Sequence, residues 1–181
     1  MRTGLPVVVV GMLSATALLM AAPAAAPVAD AARQGDRDVV RVLLQQGADV
    51  NTAEGDGMSA LHWAADRGDV EMTKMLVYAG ANIDSATRIG HYTPLHVASR
   101  GGFASVAEAL IEAGASVNLM TTNSGVSALH LAAASGSTDT VAVLLDHDAD
   151  VDARESAWGQ TPLIFAAAYN RVGALGLLLE Y

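Results

Sequence analysis

The chain has 181 residues, no cysteine, and 19 acidic against 10 basic side chains, for a formal net charge of −9 at pH 7. Without cysteine there is no disulfide framework and no thiol chemistry. Without clustered lysine and arginine there is no surface to neutralise phosphates, which argues against a nucleic-acid partner.

The first segment differs from the rest. Arg2 precedes an apolar stretch from Val7 to Ala22, and Ala22-Pro23-Ala24-Ala25-Ala26 follows. A basic end, an apolar middle and small residues at a cleavage point are the layout of a secretory leader. The preferred cut follows Ala24, giving a signal peptide over 1–24 and a mature domain over 25–181. A cut after Ala26 is the alternative, hindered by Pro27. The other reading is an uncleaved membrane anchor, although the stretch is shorter than the ~20 residues a spanning helix needs. Alanine richness and a single lysine, Lys74, fit a bacterial exported protein. The expected location is periplasmic or secreted, with no membrane contact once the leader is cut.

Beyond the leader, one phrase recurs. Ser59-Ala60-Leu61-His62, Thr93-Pro94-Leu95-His96, Ser127-Ala128-Leu129-His130 and Thr161-Pro162-Leu163-Ile164 stand 34 residues apart. A divergent earlier copy keeps Ala31-Ala32, Gly35, Leu43-Leu44 and Gly47-Ala48-Asp49-Val50-Asn51. The copies run over about 28–55, 56–88, 89–122, 123–156 and 157–181, the last incomplete. Such a period means stacked supersecondary units rather than one compact core.

Each copy predicts two short helices. Thr93 and Thr161 can N-cap a helix whose first residue is Pro94 or Pro162, where the missing N–H costs nothing. Ser59 and Ser127 keep the cap without the proline. Gly68, Gly102 and Gly136 stand just past the first helix, where a left-handed residue is wanted. Val70, Met72, Thr73, Leu76 and Val77 then show helical apolar spacing, as do Val141, Val143, Leu144 and Leu145. Gly80 and Gly114 end the second helix. His91 stands where Gly57, Gly125 and Gly159 occupy the loop, so that turn must tolerate His91 at positive φ or shift to Gly90.

These residues resemble the ankyrin repeats, whose pattern runs Gly-x-Thr-Pro-Leu-His-x-Ala-Ala, an apolar helix ending Leu-Leu, then Gly-Ala-Asp-x-Asn. The resemblance covers about residues 28–181 and implies an all-α solenoid of about five helix–turn–helix repeats with projecting loops. Ser-Ala replaces Thr-Pro in two copies, Ile164 replaces the last histidine, and Asn170 stands where glycine is usual.

No catalytic, cofactor or metal residue is assigned. His62, His96 and His130 occupy one place in successive units, and packed helices lie about 8–10 Å apart. One ion with ligands at roughly 2 Å cannot bridge that step. Their expected job is to bond loop backbone at the helix start. Asp146, Asp148, Asp150 and Asp152 alternate but lack the glycine and closing glutamate of a calcium loop. There is no Gly-x-Ser-x-Gly nucleophile turn and no glycine-rich phosphate loop. Trp63, Val97, Leu131 and Phe165 share one register and are expected to pack between repeats.

The resemblance also implies a concave binding face built from loop tips and the exposed end of each first helix. In this chain it holds Met58, Asp66, Arg67, Ile89, Tyr92, Arg100, Asn123, Val126, Ser135, Trp158, Gln160 and Tyr169. Aromatic residues, methionine and arginine are enriched in interface cores. The expected function is non-catalytic binding or protection of a partner protein by an exported protein. A secreted effector and an enzyme built on the concave face are the alternatives. The fifth copy ends in Leu175, Leu177, Leu178 and Leu179 without a polar cap, so self-association or a further repeat is expected there.

Overall fold

A computed structural model describes residues 26–181; the expected leader over 1–24 lies outside them. The described residues form ten helices and no strand. They are α1 (Pro27–Gln34), α2 (Arg37–Gln45), α3 (Ala60–Asp66), α4 (Val70–Tyr78), α5 (Pro94–Gly101), α6 (Ala104–Glu112), α7 (Ala128–Ser135), α8 (Thr138–Asp146), α9 (Pro162–Ala168) and α10 (Val172–Leu178). Odd helices stack on one another as an inner layer, and α4, α6, α8 and α10 form an outer layer. None of the ten is long and apolar enough to cross a membrane.

Each helix is only about two turns long, too short to persist alone in water. Stacking supplies the stability. The alanine pairs Ala64-Ala65 and Ala132-Ala133 are wholly buried, as are Ala98-Ser99, because small side chains let inner helices approach closely. Leu76, Leu110 and Leu144 are wholly buried in the same register of successive outer helices. Burial of each such leucine is worth about 1.5–3 kcal/mol. Arg37 joins the first two repeats through a two-point bond to Asp69, at 2.7 and 2.8 Å. Asp69 also N-caps α4 by accepting from the Met72 N–H at 2.9 Å. Burial works to raise the Asp69 pKa, but Arg37 and the Met72 N–H outweigh it and hold the carboxyl below its ordinary value.

The turns follow the sequence with two departures. Thr93 and Ser127 accept from the N–H of His96 and His130 as caps, but Thr161 makes no side-chain cap bond. The turn at 90–91 uses both candidates, with Gly90 at φ 84° and His91 at φ 55°. That geometry changes the loop. Four fingers project beside the inner helices, closed by Glu54 N–H to Met58 O, Thr87 N–H to Tyr92 O, Thr121 N–H to Val126 O and Glu155 N–H to Gln160 O, each 3.0 Å. Arg88 N–H bonds Asp56 O, and Ser156 N–H bonds Ser124 O, both at 2.8 Å, tying finger one to two and three to four. Gly90 O and Thr122 N, in the same register between fingers two and three, make no such bond.

Candidate partner-binding face

The face begins with what fixes the fingers to the helices. Each conserved-register imidazole receives its own cap residue's N–H on Nδ1, at 3.2 Å from Ser59, 3.3 Å from Thr93 and 3.2 Å from Ser127. Nδ1 is therefore the acceptor, and Nε2–H donates. It donates to a carbonyl of the next finger: Tyr92 at 3.0 Å from His62, Val126 at 3.1 Å from His96, Gln160 at 3.0 Å from His130. One side chain thus caps its own helix and locks the following repeat. Burial pushes all three imidazoles below the ordinary histidine pKa, outweighing the carbonyls that favour protonation. Ile164 has no such bond to offer.

The cap hydroxyls lie 2.8 Å from each Nδ1, the spacing of a nucleophile and its base. Both partners are buried in all three pairs, and the other ring nitrogen meets a backbone carbonyl. A substrate has no path to the hydroxyl, so these pairs act as architecture. Among the described residues, no group of three or more His, Asp or Glu side chains is placed to hold a metal ion.

Between fingers one and two opens a cleft of about 270 Å³. Four residues expected on the binding face line it: Met58, Ile89, Tyr92 and Arg100. Val97 closes its floor, and Asp56 stands at its rim. Tyr92 is half-buried, held by its N–H to Thr87 Oγ1 at 3.0 Å and packed near the His96 ring. The Arg100 guanidinium sits 5.7 Å from the Tyr92 ring centroid and bonds Asp66 at 3.1 Å. Such a stack stabilises by about 0.5–1 kcal/mol at an exposed site. Ile89 is left 75% exposed at the cleft mouth.

Farther along, Trp158 is 82% exposed at the tip of finger four. Beneath it the buried Glu155 carboxylate accepts from the N–H groups of Ala157, Trp158 and Gln160, at 2.6, 2.7 and 3.0 Å. Those bonds, led by the one from Gln160, hold its carboxyl below the usual glutamate value. Thr87 and Thr121 occupy the same register in fingers two and three, where each hydroxyl takes one N–H. Asn123 and Tyr169 are exposed; Val126, Ser135 and Gln160 are half-buried.

Arg67, placed on the binding face by the sequence, is exposed and also bonds the preceding repeat. Its Nη1 reaches back to the Arg33 carbonyl at 3.2 Å, closing the end of α1, as Arg171 Nε closes α7 through Ala134 O at 2.8 Å. Arg67 therefore links two repeats as well as lying on the expected face. Sequence reasoning missed Glu155 and the Asp66–Arg100 pair. The first was detectable as a glutamate in a threonine register; the second, as opposite charges one repeat apart. Of the Trp63 register, Val97 is buried, Trp63 and Phe165 are half-buried against the core, and Leu131 is half-buried.

A family model described as ankyrin repeats (3 copies) matches residues 28–121 and 118–181. Among curated proteins the chain is 40% identical over 53 residues to an ankyrin repeat and LEM domain-containing protein 1 homolog of Caenorhabditis elegans, covering 29% of this chain and 8% of that protein. It is 43% identical over 70 residues to a putative glutaminase 2 of the same organism, covering 38% and 11%. It is 45% identical over 58 residues to the human neurogenic locus notch homolog protein 2, covering 32% and 2%. The match therefore spans a small part of each relative's length.

Proposed function

The chain belongs to the ankyrin-repeat family, whose repeats indicate a protein–protein interaction module, and from that premise we propose that it binds a partner protein, without catalysis, through its finger side. The cleft between fingers one and two carries this reading. It is preformed, apolar-walled and ringed by Met58, Ile89, Tyr92 and Arg100. These types make the energetic centres of interfaces, and a preformed cleft spares the cost of ordering them. Trp158 on its pinned loop is a second anchor. The leader-like layout of residues 1–24 supports a location outside the cytoplasm, where the module would bind or protect another exported protein.

Ile89→Ala and Trp158→Ala test the surface. Each should weaken the partner complex by about thirtyfold, the equivalent of ~2 kcal/mol. Helical content and melting should stay unchanged. Glu108→Ala on the outer layer should leave affinity unaltered. Equal losses from all three changes would refute the assignment. N-terminal sequencing of the native protein tests export, and an intact Met1 in a membrane fraction would contradict it.

A further inference from the structure

The row of fingers is broken once, and the break adjoins the cleft. In fingers one, three and four the turn is made by a single positive-φ glycine: Gly57, Gly125 or Gly159. The carbonyl just before it, from Asp56 or Ser124, takes an N–H of the next finger at 2.8 Å. Finger two turns instead on two positive-φ residues, Gly90 and His91. The peptide group between them, which carries the Gly90 carbonyl, is turned away from the regular direction. The Gly90 carbonyl and the Thr122 N–H, which correspond to the bonded pairs, have no backbone partner among the described residues. Thr122 is exposed and Gly90 is half-buried.

The irregular turn also builds the cleft. A Cβ at Gly90 would collide with the Tyr92 ring, so the ring rests directly on the glycine backbone. Ile89 and Tyr92, which flank Gly90 and His91 in sequence, both wall the cleft. An apolar cleft thus lies beside a free carbonyl and a free N–H on neighbouring fingers. Unpaired main-chain groups on a hairpin are a template for another chain: hydrogen bonds give affinity, and pockets read its side chains.

We propose that the partner is bound through an extended segment that crosses finger two. One side chain fills the cleft, and its main chain pairs with the Gly90 carbonyl and the Thr122 N–H that the break leaves open. This rests on the finger-side reading above and adds the kind of segment bound. A helix spends its own N–H and C=O groups internally and has none to offer along its length. Packed helices of adjacent repeats stand about 8–10 Å apart, and an extended chain advances about 3.3 Å per residue. About three residues therefore carry the segment from the cleft to finger three.

A random dodecapeptide library displayed on phage and panned on the full chain supplies the probe. In the free chain the Thr122 amide should exchange about tenfold faster, or more, than the bonded amides of Arg88 and Ser156. Saturation with a selected peptide should slow it about tenfold. Exchanging the Thr122 amide for an ester removes the donor alone. It should weaken peptide binding about two- to tenfold and leave thermal unfolding of the free chain unchanged. Ile89→Ala should weaken the same peptide about thirtyfold. A Thr122 amide as protected in the free chain as those of Arg88 and Ser156 would show the fingers tied and overturn the proposal. If Ile89→Ala weakens binding but the ester and the Thr122 exchange do not respond, the extended-segment inference falls while the finger-side reading stands. If Ile89→Ala weakens no selected peptide, the finger-side reading falls and takes this inference with it.

Discussion

His96→Leu isolates the bond that couples one repeat to the next. The change puts an apolar, similar-sized side chain at a wholly enclosed position. It removes the acceptor for the Thr93 N–H and the donor to the Val126 carbonyl. Each buried group left unpaired costs about 1–3 kcal/mol, so the loss should total about 2–6 kcal/mol. Urea unfolding at pH 8, where the imidazole is neutral, measures it. Hydrogen exchange locates it, with faster exchange expected in finger three and at the start of α7. Ile164→Leu is the control, because Ile164 is 43% exposed and its side chain makes no hydrogen bond to lose, so it should change stability by less than about 0.5 kcal/mol. A His96→Leu stability within 0.5 kcal/mol of wild type would refute the locking role.

The three imidazoles also predict a pH response. Their folded pKa values lie below the ordinary 6.5, so the unfolded chain takes up protons first. Stability should be fully present above pH 6.5 and fall as pH drops through 6.5 toward the folded values; a flat melting temperature from pH 7.5 to below 6 would contradict this. Asp69 should add a second loss below its unfolded value of 3.8, reduced in Arg37→Ala. Leu110→Ala should cost about 2–5 kcal/mol by leaving a cavity in the outer layer, read from chemical unfolding. Glu155→Ala should free the tip of finger four, lowering the fluorescence anisotropy of Trp158 in a Trp63→Phe background while helical content holds.

Much of the fold was legible because each repeat announces itself in local chemistry. The Thr-Pro and Ser-Ala starts, the glycines after the first helix and the Leu-Leu ends fix helix limits with no tertiary information. The histidine role was legible in kind, since a metal was ruled out by spacing. That Nε2–H reaches the next repeat was not, because the contact lies 30 residues away in sequence. The bond from Arg67, read from the sequence as a binding-face residue, was hidden for the same reason: its partner, the Arg33 carbonyl, is a backbone atom of the preceding repeat. The turn at His91 left two solutions open, and the chain adopts both positive-φ residues at once. Glu155 drew no reading from the sequence, although its carboxylate is enclosed by three N–H groups of its own loop.

Site-specific photo-crosslinking from the finger side tests the central claim most directly. A photoreactive side chain at Ile89, at the cleft mouth, should crosslink the partner protein in intact cells, and the yield should fall when Trp158→Ala is added. The same group at Glu108, on the outer layer, should give no adduct. Equal adducts from Glu108, or none from Ile89 while the partner still co-purifies, would contradict binding through the fingers.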